Sequence, residues 1–297
     1  MKYATLFLCA CILFVCLSCN ESVKQDNKPT PLSDLAHIDI ILDSATWAAV
    51  KSDSFISKEF AVINSDTAHY GGKPSYDLYL LGRLNFLHLS QAKEFWSGQR
   101  GGGVLVFQTQ KPGLKDSLLN SWKQFYKDSL FIHTYKGSDF TLNEILAWYK
   151  KDSTKPKLPS LFANLTTYSA DAYKNWGITD SIVNAGLALK QFMSDWGGEE
   201  LKNKLFHSIT ELHMTINERE FVEIRSALLA TGYKEENKIF THSFNPPVYI
   251  TVTNASVNSK YTRVKFKLTR KADKREIVFS PSAKLLIDND AAVLELN

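Results

Sequence analysis

After Cys19 the sequence holds no cysteine: all four, Cys9, Cys11, Cys16 and Cys19, lie at the start of a 297-residue chain. No disulfide and no thiolate metal site can therefore form in the rest of the protein. HExxH, GxSxG and paired-cysteine signatures are also missing, which removes the commonest zinc-protease, hydrolase and thiol-redox chemistries. Neither sign of charge is in large excess. The net charge is +4, and basic residues are scattered apart from one row described below. That excludes the clustered footprint of a nucleic-acid binder, and no nucleic-acid partner is expected. The run Gly101–Gly103 precedes a strand-like stretch and lacks the lysine-serine/threonine pair, so it is not a phosphate loop.

What is present begins with an export segment. Residues 3–18, YATLFLCACILFVCLS, are apolar and follow Lys2. The run is too short and too early for a membrane span and reads as a secretory h-region. It ends in CLSC, which resembles a bacterial lipobox, with Cys19 as the lipid attachment site and new N-terminus. A plain signal peptide cut elsewhere, or an uncleaved anchor, is the alternative. The expected layout is a signal peptide over 1–18 and a lipidated, flexible tether over 19–33, polar and without apolar period. The body would then stand in the periplasm or at the cell surface, partnered to a membrane through its anchor. A cysteine-free body suits that oxidising compartment.

Residues 35–43, LAHIDIILD, alternate, with Ala36, Ile38, Ile40 and Leu42 on one face and His37, Asp39 and Asp43 on the other. Ser44 is the expected N-cap of a short helix. EFAVINSDT, YDLYLLG and RLNFLHLS follow as strands, so residues 34–92 read as one β-α-β-β-β module. A weaker version of the same order occupies 101–169. Residues 170–206 are predicted to be a helical insert broken at Gly197 and Gly198. Over 207–297 the order returns, from ELHMTI through the amphipathic EREFVEIRSALLATGY to VYITVTNAS, TRVKFKLTR, EIVFS and AAVLELN. LNFLHLS and AAVLELN each set a metal-capable side chain, His88 or Glu295, between two leucines. They are expected to be the closing strands of the first and last modules.

Together AHIDI, ATWAAVKSDSF, YDLYLLGRLNFLHL and GGGVLVFQT resemble the glyoxalase-like, or vicinal oxygen chelate, superfamily, best over residues 35–110. The resemblance implies an α+β fold in which βαβββ modules form curved, cup-like sheets, here with a helical insert. It also implies metal ligands on the first and last strands of modules, with one departure: His88 stands where the family usually has Glu. Independently, period-2 alternation puts His37, His88, His213 and Glu295 on the less apolar faces of their strands. There they could share one divalent metal (Zn, Fe, Mn, Ni or Co), or simply be the wet faces of half-exposed strands. Arg263, Lys265 and Lys267 form one row on TRVKFKLTR. They are ligand-binding candidates for an anion, or a lysine-guarded outer face. No general base can be named, so no catalytic residue is. The expected function is an envelope lipoprotein with a glyoxalase-like cup, a metal-dependent lyase, isomerase or dioxygenase acting on a small oxygen-rich molecule. A metal-free small-ligand binder or a structural scaffold is the alternative, and enzymatic activity stays open.

Overall fold

The alternating stretches become strands of two sheets. A computed structural model of the chain describes residues 33–70, 73–91, 99–112, 114–125, 130–136, 141–147, 159–186 and 188–297. The export segment, Cys19 and nearly all of the tether lie outside the described residues. The first module is β1 (Ser33–Leu42), α1 (Ser44–Ser52), β2 (Val62–Tyr70), β3 (Lys73–Leu81) and β4 (Phe86–Gln91). The second is β5 (Gly103–Thr109), α2 (Lys115–Phe125), β6 (Leu130–Lys136), β7 (Thr141–Ala147) and β8 (Leu161–Tyr168). Their eight strands form one sheet in the order β2-β3-β4-β1-β5-β8-β7-β6. Within each module the first strand pairs in parallel with the last, β1 with β4 and β5 with β8. The modules join antiparallel through β1 and β5. The order is the same read inward from either edge, which is the paired-module arrangement of the glyoxalase-like fold.

Local chemistry explains the joins. Asp43, rather than Ser44, caps α1: its carboxylate accepts from the Thr46 backbone N–H at 2.9 Å and the Thr46 hydroxyl at 2.7 Å. Asp offers two acceptors to the orphan donors of the first turn, so it takes the cap position from the neighbouring serine. The glycine run is a crossing point of chains. A Cβ at Gly103 would stand 1.8 Å from the Asp39 carbonyl oxygen, and one at Gly102 would stand 2.4 Å from that of Ser160.

The helical insert is α3 (Ala170–Asn175), α4 (Asp180–Ala185) and α5 (Leu189–Gly197), followed by a 3₁₀ turn, Gly198–Asn203. The single helix expected up to Gly197 is divided, because Gly186 takes φ 105° and ends α4.

The C-terminal sheet contains β9 (Phe206–Asn217), α6 (Glu218–Ala230), β10 (Lys234–Glu236), β11 (Ile239–Thr241), β12 (Val248–Thr253), β13 (Lys260–Ser280) and β14 (Ala283–Leu296). Its order is β10-β11-β12-β9-β13-β14, and β12 pairs in parallel with β9. A third βαβββ module is therefore present, but VYITVT closes it. AAVLELN belongs to β14, the outer arm of a long antiparallel hairpin. The expected correspondence between LNFLHLS and AAVLELN fails for a physical reason. Both alternate, and alternation sets which face a side chain takes but not which neighbour its strand finds.

The apolar faces of the two sheets look toward each other. Ile38, Ile40 and Leu42 of β1 and Leu212, Met214 and Ile216 of β9 are all buried in one core. Trp47 and Val50 of α1, Leu118 and Trp122 of α2, and Ile224 and Leu228 of α6 lie in the same core. Helix α1 touches both β4 and β13, and α6 touches both β8 and β9. The sheets are also tied by polar links. The Glu220 carboxylate accepts from the backbone N–H groups of Ser160 (2.9 Å) and Leu161 (3.2 Å), and the Asn245 side chain accepts from Leu35 N–H at 2.8 Å. The face of each sheet away from this core is free to carry polar chemistry.

Candidate functional site

On the outward face of the first sheet, three adjacent strands bring four titratable side chains together. His37 and Asp39 come from β1, Asp77 from β3 and His88 from β4. The register puts Asp39 directly beside His88. The Nδ1–H of His88 donates to Asp39 Oδ1 at 2.9 Å, and Nε2 lies 3.0 Å from Asp77 Oδ1. His37 Nε2 lies 3.3 Å from the same Asp39 oxygen. The group is buried: Asp77 is 1% exposed and both Asp39 and His88 8%.

Burial would keep Asp39 protonated, but the two imidazoles outweigh it and hold the carboxyl well below the usual carboxylate range. Burial likewise opposes a charge on His88. The carboxylates of Asp39 and Asp77 prevail and raise its pKa from 6.5 to about 10. At neutral pH His88 is thus an imidazolium donating to two carboxylates. That arrangement satisfies the buried ion, and it leaves neither ring nitrogen with a lone pair for a metal. Ser90 is fully buried and its hydroxyl donates to Asp77 at 3.2 Å. Although it lies 3.3 Å from His88 Nε2, that nitrogen is engaged by Asp77, so the serine is not an activated nucleophile.

Aromatic rings cover the cluster. Tyr79 stacks on His88 (centroids 4.6 Å apart, planes 14°) and Phe86 stacks on His37 (4.1 Å, 17°). Trp196 of the insert meets Phe86 edge-on at 4.9 Å and Tyr79 at 5.5 Å. The glycine pair after Trp196 ends its helix, and the indole is left 37% exposed at the outer side of these rings. On the other side of β1, the second module offers Val104, Val106 and Phe162, a small buried apolar cluster. Gln108, Asn164 and Thr166, all buried, follow on the same face, so the second half of the site is apolar at its Val104–Phe162 end and polar at its Gln108–Thr166 end.

The four predicted metal ligands do not meet. His37 and His88 share a face, with ring centroids 6.5 Å apart. His213 and Glu295 lie in the other sheet, on β9 and β14. There the register inserts Arg263 of β13 between them, opposite His213 on one side and Glu295 on the other. A guanidinium between two would-be ligands repels a metal ion. His213 instead pairs with Glu211 at 2.6 Å, and Glu295 with Lys284 at 3.4 Å. Among the described residues no group of three or more His, Cys, Asp or Glu side chains is placed to hold an ion. The donor set, as folded, does not fit the metal that the glyoxalase-like resemblance implies. Lys265 lies 3.8 Å from Glu211, while Arg263 and Lys267 are exposed on the outer face of β13.

Asp39 and Asp77 were missed as site residues. Both left a signal: Asp39 shares the face of His37 in AHIDI, and Asp77 is the one charged residue in YDLYLLG. A carboxylate inside an apolar strand has to find a partner.

Comparison with known proteins adds the following. No curated protein matches the chain. Among solved structures, a variant of Streptomyces coelicolor methylmalonyl-CoA epimerase in complex with 2-nitronate-propionyl-CoA aligns at 16% identity and TM-score 0.30, covering 47% of this chain and 99% of that one. A methylmalonyl-CoA epimerase in complex with methylmalonyl-CoA and NH4+ aligns at 14% identity and TM-score 0.29, covering 48% and 97%. A family profile matches residues 35–295, from the first strand of the first module to the last strand of the hairpin. The chain belongs to the family that this profile defines, described as "Family of unknown function (DUF5829)".

Proposed function

We propose that the chain is an envelope lipoprotein whose first cup takes a small oxygen-rich molecule and moves a proton on it, as an isomerase does. One observation carries the reading. The Nε2–H of His37 points to an ionised Asp39, while its Nδ1 is buried without a hydrogen-bond partner among the described residues, so a substrate reaches it only when the aromatic cover over the ring gives way. An imidazole oriented by a carboxylate through one nitrogen, with the other unpartnered, is the usual form of a general base. In the proposed step the bond from a proton to a carbon beside a carbonyl breaks, and the proton goes to Nδ1. The electron pair moves to the carbonyl oxygen as an enolate. Asp39 stabilises the imidazolium that forms, and return of the proton to carbon restores the base. His88 does not touch the substrate in this scheme. It is a positioning residue that keeps Asp39 charged and fixed. No step passes through a metal.

A second reading has its own support. Phe86 and Tyr79 lie directly on the two imidazoles and Trp196 packs on both of those rings, which also suits a metal-free binder that holds a small ligand under an aromatic cover. The export segment and CLSC support the anchored, envelope location.

The test is solvent-deuterium incorporation, followed by NMR, into a panel of small 2-oxo acids and hydroxyketones. Incorporation should fall by about 10²–10⁴ in H37Q, the usual contribution of a general base. Equal exchange with both proteins defeats the proton-transfer reading. If no compound exchanges but some raise the melting temperature, the binder reading takes its place.

A further inference from the structure

The third module repeats the chemistry of the first with the roles exchanged. Asp43 and Asn217 each cap the helix that follows the module's first strand, each accepting an N–H three residues on. Counting back from these caps, Asp39 corresponds to His213 and His37 to Glu211. Across the sheet Asp39 faces His88, and His213 faces Tyr249. Both modules thus place an imidazole–carboxylate pair on the first strand with an aromatic ring beside an imidazole. Tyr249 stacks on His213 at 4.6 Å and 7°, much as Tyr79 stacks on His88.

What differs is the next strand. In the first sheet it is β5, with Val104 and Val106 beside β1. In the second it is β13, with Arg263 opposite His213 and Lys265 opposite Glu211. The balance of charge reverses as well. The first cluster has two carboxylates and one fixed imidazolium. On the second face Lys265 lies near Glu211 (3.8 Å) and Lys284 near Glu295 (3.4 Å). Arg263 makes no ion pair among the described residues, although Glu295 is its cross-strand neighbour. His213 is held through Nε2 by Glu211 at 2.6 Å.

We infer that the outer face of the second sheet is an oxyanion-binding site centred on Arg263, taking a carboxylate or phosphate group. The guanidinium presents a planar fork of N–H donors that matches both groups. Lys267, two residues beyond Lys265 on the same strand face, extends the positive row. All of these groups stand on paired strands, so binding orders side chains but not backbone. The site stands on strands of the second sheet, none of which belongs to the first cup, so it is separate from the site there.

Isothermal titration of the intact chain in detergent tests the inference, with sodium phosphate and sodium acetate as probes and sodium chloride at equal ionic strength as the reference. Vesicles containing phosphatidylglycerol are a further arm. At least one probe should bind saturably, with affinity lowered tenfold or more in R263Q and partly kept in R263K. K271Q, which removes an exposed charge elsewhere on β13, should change it less than twofold. Binding confined to vesicles and lost in R263Q supports the same site with a lipid phosphate as the anion. Equal losses in R263Q and K271Q would show diffuse attraction only and overturn the inference. So would no saturable binding, or a folded R263Q, checked by circular dichroism, that binds as well as the unaltered chain.

Discussion

His88 donates from Nδ1 to Asp39 at 2.9 Å inside a face that is almost closed to water. The pair ties β4 to β1 at the centre of the first module, and the second carboxylate, Asp77, ties β4 to β3. A buried ion of this kind has consequences for stability that can be measured against pH.

The pKa of His88 is raised in the folded state to about 10 from 6.5. Its contribution is therefore fully present below pH 6.5 and is lost as pH rises through about 10. Asp39 is shifted the other way, so its contribution is present above the ordinary carboxylate range and is lost as pH falls well below it. H88Q leaves two buried carboxylates without their cation and should cost about 3–5 kcal/mol at neutral pH. Urea melts from pH 6 to pH 10 should show the gap between H88Q and the unaltered protein narrowing. A gap that stays constant would mean that His88 is not charged.

Gly103 to alanine should be among the most damaging small changes in the chain. The added carbon would meet the Asp39 carbonyl at 1.8 Å, where β1 and β5 pair and the two modules join. Backbone atoms cannot step aside as a side-chain end can. The expected loss is about 3 kcal/mol or more, read from denaturant melts. A G103A protein as stable as the parent would show that the two modules do not meet in this way.

Trp196 to alanine should uncover the cup without unfolding it. The indole is 37% exposed and rests on Phe86 and Tyr79. Its removal should cost about 1–2 kcal/mol, less than the roughly 3–5 kcal/mol of a fully buried Trp. Modification of His37 by diethyl pyrocarbonate, followed by peptide mass analysis, should become several-fold faster. An unchanged rate would show that the indole does not limit access to the imidazole.

Cys19 to alanine should abolish incorporation of a fatty-acid probe and release the body from membranes. Its melting temperature should stay within a degree or two of the unaltered chain, because the tether carries no packing pattern. A variant that still takes up the probe would place the lipid elsewhere.

By itself the sequence determined the elements of this protein and the faces of its strands. Alternation in AHIDIILD and LNFLHLS put His37, Asp39 and His88 on the polar side and the isoleucines and leucines on the core side. That follows from the two-residue period of a strand, a local property. Helix positions were legible from the helical period, which is also local, with two errors: the cap of α1, where Asp43 and Ser44 competed for the same backbone donors, and the insert, which Gly186 divides. The tertiary structure alone decided which strands became neighbours. Pairing sets β12, not β14, beside β9, and puts Arg263 between His213 and Glu295. It also brings Asp77 of one strand and Asp39 of another to the two nitrogens of His88. None of this can be read from period or spacing, because strand pairing depends on how whole apolar faces are covered across the chain. The same covering turned an imidazole that could have bound a metal into a buried cation held by two carboxylates.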